Sequence, residues 1–109
     1  MNEDPRAKLL EPRHLALLLS ILESIVPHAE VWAYGSRVKG THHETSDLDL
    51  AIHCTSLDAE VAAQVALKTA LVDSDLPIRV DVVAFRALPP SFQEAIRHRY
   101  TVLQRPDDG

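Results

Sequence analysis

Apolar residues at positions 15, 18, 19, 22, 25 and 26 of "RHLALLLSILESIV" recur at the spacing of one helix face. Arg13 to Val26 is therefore predicted as an amphipathic helix, and Pro27 stops it. Residues 1–11 read as a frayed or partly helical lead-in. After Pro27 the period changes. "EVWAYGS" carries β-branched and aromatic residues and predicts a short strand ending at Gly35, followed by a polar loop from Ser36 to Ser46 with Gly40 inside it. "DLDLAIHC" is the clearest strand: Leu48, Leu50, Ile52 and Cys54 point one way, Asp47, Asp49, Ala51 and His53 the other. Thr55 and Ser56 are both N-cap residues for a helix running to about Val72, with Asp58 and Glu60 near its positive end. "LPIRVDVVAF" predicts a third strand in which Ile78, Val80, Val82 and Ala84 alternate with Arg79, Asp81, Val83 and Phe85. Pro89-Pro90-Ser91 opens a last helix through about Arg99, "YTVLQ" suits a short edge strand, and "RPDDG" is a polar tail.

Helix, strand, strand, helix, strand, helix and short strand, with a hairpin-like first pair, imply an α+β (α/β-like) fold: a small mixed β-sheet flanked by helices. No boundary reads as a linker, so residues 1–109 are expected as one domain with its core over about 13–104. Apolar content of 46% and charged content of 25% are those of a soluble globular chain. No window approaches the roughly 18 uninterrupted apolar residues of a membrane span. "MNEDPRAKLL" has no apolar run resembling a signal peptide. The lone Cys54 cannot form an internal disulfide, and a cytoplasmic location is expected. The net charge of −5, with 16 acidic against 11 basic residues, argues against a nucleic-acid-coating protein and against direct sequence-specific binding.

The chemistry concentrates in "YGSRVKGTHHETSDLDLAIHC". Asp47 and Asp49 leave the same face of a strand with Cα atoms about 6.5–7 Å apart, and Asp81 joins them if the third strand pairs beside the second. Three such carboxylates repel unless cations neutralise them, and Mg²⁺ suits them because it takes oxygen ligands and leaves positions for substrate phosphates. An isolated Asp-x-Asp is also what a solvated strand face carries, and Asp47 after Ser46 could be a turn residue. The preceding turn changes the balance. Gly35 lets a phosphate approach the main chain, Ser36 offers a hydroxyl and an N–H, and Arg37 and Lys39 can add charge-assisted contacts.

Gly35-Ser36, ten intervening residues, and Asp47-Leu48-Asp49 resemble the G-S-x10-D-x-D signature of the polymerase beta-type nucleotidyltransferase superfamily, with Asp81 in "RVDVVAF" where that family places its third carboxylate. The short length resembles its smallest branch, the minimal nucleotidyltransferase (MNT) domain. Val38, Lys39 and Thr41-His42-His43 depart from the usual loop of that branch. The resemblance implies that Asp47, Asp49 and Asp81 are catalytic and hold Mg²⁺, two ions in the full site, and that Gly35, Ser36, Arg37 and Lys39 bind the ATP substrate. It implies an AMP-transferring antitoxin acting on a tyrosine of a HEPN-type (higher eukaryotes and prokaryotes nucleotide-binding) ribonuclease toxin in a hetero-complex. Two alternatives stay open: a non-catalytic antitoxin acting by binding, and a small-molecule nucleotidyltransferase needing a partner subunit. His53, Trp32 and Tyr34 are expected as packing residues, His42 and His43 as an exposed loop pair, and Arg97-His98-Arg99-Tyr100 as a solvated helix end.

Overall fold

In the computed structural model, which describes residues 4–41 and 46–106, the first apolar stripe forms helix α1, Pro12–Ile25. Pro12 occupies its first turn, where a missing N–H costs no hydrogen bond, and Leu18 and Leu22 are its buried residues. Next come strand β1, Glu30–Tyr34, a four-residue helix α2, Ser36–Lys39, and strand β2, Leu48–His53. Helix α3, Leu57–Val72, strand β3, Val80–Ala84, helix α4, Pro90–His98, and strand β4, Thr101–Gln104, complete the order. Single 3₁₀ turns precede α1 at Pro5–Lys8 and follow β3 at Phe85–Ala87. His42 and His43 lie outside the described residues.

Two elements differ from expectation. Ser36–Lys39, expected within a polar loop, is helical; four residues are too few to show a periodic stripe, and Gly40 ends the turn in the left-handed conformation at φ 79°. The third strand is shorter than Leu76–Phe85: Pro77 lies in a bend before it, and Phe85 leaves the sheet for the 3₁₀ turn, where its ring is buried.

The sheet order is β3-β2-β1-β4. β1 pairs antiparallel with β2 and β4, whereas β2 pairs parallel with β3, a pairing that requires a crossover. Helix α3 supplies it, started by Ser56, whose Oγ accepts the Ala59 N–H at 3.2 Å. The alternation in β2 now has two destinations. Leu48, Leu50 and Ile52 are fully buried in the main core with Leu18 and Leu22 of α1 and Leu67 of α3, and Cys54 packs against that core. On the other face Trp32, Ala51, Phe85 and Ile96 of α4 form a second, smaller cluster. Trp32 lies between His53, with ring centres 5.2 Å apart, and Tyr100 at 4.3 Å, both stacked. Its packing role is as expected, while Tyr100 is part of this stack rather than a solvated helix end. Among the described residues no helix is long and apolar enough to cross a membrane.

Glu60, which the sequence suggested only as an acid favouring the α3 dipole, is fully buried. Its Oε2 accepts the Cys54 N–H at 3.0 Å and its Oε1 the Arg86 N–H at 2.7 Å, while Arg86 Nε lies 3.1 Å from Oε2. Arg86 Nη2 donates in turn to the Cys54 carbonyl at 2.8 Å. This latch ties the C-terminal ends of β2 and β3 together.

Candidate active site

The carboxylates gather at the opposite, N-terminal ends of the same two strands. Register places Asp49 directly beside Asp81 across the parallel pair and beside Tyr34 across the antiparallel one. Asp47 precedes β2 by one residue. The three acidic groups perceive one another: burial, then Asp81, then Asp47 push the Asp49 carboxyl above the ordinary carboxylate range. Tyr34, half-buried and edge-on to Phe92 at 6.2 Å, has its phenol pushed up to about 12 by burial, Asp49 and Asp81. Tyr34 is thus a wall of the site as well as a packing residue.

Gly35 connects β1 to α2 at φ 83°, a conformation side-chain-bearing residues rarely adopt. A Cβ there would also overlap the Asp49 carboxylate oxygen Oδ2. Both facts require glycine at that position. Its carbonyl accepts the N–H groups of Val38 and Lys39 at 3.1 Å, which turns the chain into α2 with Ser36 half-buried at the start and Lys39 exposed at the end.

Arg37 is placed differently from expectation. It is buried, and it directs Nε and Nη2 to the Ser46 carbonyl at 3.2 and 2.9 Å and Nη1 to the Leu9 carbonyl at 2.7 Å. A guanidinium that far inside must satisfy its donors on protein acceptors. Its effect is to pin the residue before Asp47 to the helix that follows the Gly-Ser turn. His53 does not join the carboxylates either; it stacks on Trp32 and meets Phe85 edge-on at 5.3 Å.

Arg79 is the site residue that sequence reading missed. Its Nε donates to Asp81 Oδ1 at 3.2 Å and lies 4.0 Å from Asp47 Oδ2. The Arg-x-Asp spacing within one strand run was the available signal, since residues two apart share a face. Among the described residues no three His, Cys, Asp or Glu side chains are already assembled as a metal-binding group, and Asp81 is turned toward this arginine. The donor set still fits a hard divalent cation. Oxygen ligands share one face, their mutual repulsion is visible at Asp49, and a guanidinium three-quarters exposed supplies the positive charge weakly from the rim.

Known proteins share the family and the fold of this chain. The polymerase beta nucleotidyltransferase family matches residues 19–108, a span that includes Gly35, Ser36 and all three aspartates. Over 95 residues the chain is 42% identical to the Haemophilus influenzae protein named "Probable protein adenylyltransferase MntA", covering 87% of this chain and 82% of that one. A toxin–antitoxin structure solved with AMP-PNP has the same fold, with a TM-score of 0.58 at 24% identity over 85% of this chain and 74% of the other. One described as a minimal nucleotidyltransferase gives a TM-score of 0.52 at 27% identity, over 81% and 87%. With a family match over most of its length and a relative 42% identical, the chain belongs to the polymerase beta nucleotidyltransferase family.

Proposed function

We propose that this chain, acting as one minimal domain, transfers AMP from ATP to a tyrosine hydroxyl of a separate helical HEPN-type ribonuclease toxin and thereby neutralises it. The observation that carries the proposal is the convergence of Asp47, Asp49 and Asp81 on one sheet face beside the Gly35-Ser36 turn. The name of the H. influenzae relative and the toxin–antitoxin structure with AMP-PNP support the choice of reaction and partner. Cytoplasmic location fits the free Cys54.

In this scheme the Gly35 turn admits the triphosphate to the main chain, Ser36 donates to a phosphate oxygen, and Lys39 adds charge from the end of α2. Arg37 acts indirectly, by fixing the loop end before Asp47. Asp47 and Asp49 would hold Mg²⁺, and Asp81 would complete its shell once released from Arg79. Bound Mg²⁺, two ions in the full site, supplies charge stabilisation at the transferring phosphate. Asp81 accepts the proton of the attacking phenol as its oxygen bonds to the α-phosphorus and the bond to the pyrophosphate breaks. The added AMP blocks a ribonuclease site by bulk and negative charge.

The test is incubation of both proteins with Mg²⁺ and ATP, followed by mass spectrometry of the partner. One AMP on a tyrosine, absent with Asp47→Asn, is the expected result. A partner that gains no mass, yet is neutralised equally by Asp47→Asn, would leave the binding antitoxin standing. Transfer to a small molecule alone would favour the third reading.

A further inference from the structure

A groove of about 380 Å³ opens beside the carboxylates, between the C-terminal end of α3 and the start of β3. Leu71, Leu76, Ile78 and Val80 line it, each half-buried, and Val72 stands at its rim 83% exposed. Asp81 and Arg79 also line this groove; the Asp81 side chain alternates with that of Val80 and leaves the opposite face of the sheet, so the groove meets the candidate active site around the β3 edge.

Its sheet side is an open edge, because β3 ends the order β3-β2-β1-β4. The Leu48 N–H donates to the Arg79 carbonyl, so by alternation the main-chain groups of Val80 and Val82 point away from β2. Gln64 Nε2 already donates to the Val82 carbonyl at 2.8 Å and closes the edge there. Val80, within the groove, is the position left for pairing. Any strand added here is therefore short. Apolar walls, an edge and two basic residues, Lys68 on the helix side and Arg79, which is engaged by Asp81, select an extended segment with an apolar side chain and a nearby acidic one that meets Lys68.

We infer that this groove seats a short extended segment of the protein acceptor, pairing with Val80, filling the apolar walls and setting an acidic side chain against Lys68, so that the chain continuing from it carries its hydroxyl around the β3 edge to the carboxylates on the other face. A second copy of this chain is the weaker occupant, because edge-to-edge pairing of two β3 strands would cover both Asp81 groups and close the site. The inference rests on the transferase function proposed above for its acceptor, but its test does not depend on turnover.

Hydrogen–deuterium exchange of this chain, alone and with the HEPN-type partner, should slow at Val80 and in the segment 76–80 on complex formation. Val72→Asp should raise the KM for the partner at least tenfold with kcat little changed and AMP-PNP affinity retained. Val61→Asp, on α3 but outside the groove, should do neither. Because Val72 is almost fully exposed, its replacement leaves the core intact. Complex formation without slowed exchange at 76–80, or no complex at all, overturns the groove assignment. So does a dimer of this chain alone, seen by ultracentrifugation, that Val72→Asp dissociates. Slowed exchange without AMP transfer sustains the groove and overturns the catalytic function instead, so the two failures are distinguishable.

Discussion

Asp49 is hemmed in by three neighbours: it faces Asp81 in register, pairs with Tyr34 across the antiparallel ladder, and leaves no room for a side chain at Gly35. Its raised pKa means that the folded state holds this proton more tightly than the unfolded chain does. The stability it contributes is complete below the unfolded carboxylate value, about 4, and is lost as pH rises through the raised folded value. Without divalent ions, Asp49→Asn should therefore melt higher than the parent at pH 7, and the gain should shrink as pH falls, as thermal scans across that range would reveal. At this scale the sequence was informative about charge and alternation. A two-residue period puts Asp47 and Asp49 on one face of β2, whereas Asp81 joins them only through the parallel register of β3. Arg37 was not legible, because the Leu9 carbonyl that holds it inward lies far upstream in the chain and only the folded core brings them together.

Among the elements, the two ends of the β2–β3 pair differ in what they contribute. Their N-terminal ends carry repelling carboxylates, while their C-terminal ends are joined by Glu60 and Arg86. Glu60→Ala would leave the part-buried N–H groups of Cys54 and Arg86 without their acceptor, as well as removing the ion pair. The expected cost is about 2–4 kcal/mol, toward the lower end because Arg86 is partly exposed, and urea denaturation would measure it. A loss below about 0.5 kcal/mol, the range of ordinary surface changes, would contradict the latch. In the sequence Glu60 looked like one more acid in the first turn of a helix, and nothing local distinguished it from the exposed Asp58. Helix α2 was equally hidden, since its evidence is a cap at Gly40 rather than a stripe. The strands and long helices were legible because each buries one periodic face, and their ends were not, as the shortened β3 illustrates.

The whole molecule is a sheet with one thickly covered face and one thinly covered face. Helices α1 and α3 close the main core, whereas α4 and the Trp32 cluster cover only part of the other side and leave the carboxylates accessible. The core does not depend on the site, so chelators should leave the protein folded. Mg²⁺ with a non-hydrolysable ATP analogue, at about a hundred times its dissociation constant, should stabilise it by about 2.7 kcal/mol and raise the melting temperature by roughly ten degrees or more. Asp47→Asn should abolish that response in differential scanning fluorimetry, and a retained shift would place the binding elsewhere. The parallel pairing of β2 with β3 has one more consequence, which concerns synthesis. β1 and β2 can pair as soon as both have left the ribosome, but Asp81 reaches Asp49 only after the whole α3 crossover has formed and docked. Long-range parallel contacts of this kind form late. A nascent chain that has not yet added β3 therefore carries two of the three carboxylates in place and no complete site, so catalytic competence waits for β3 to dock on the sheet.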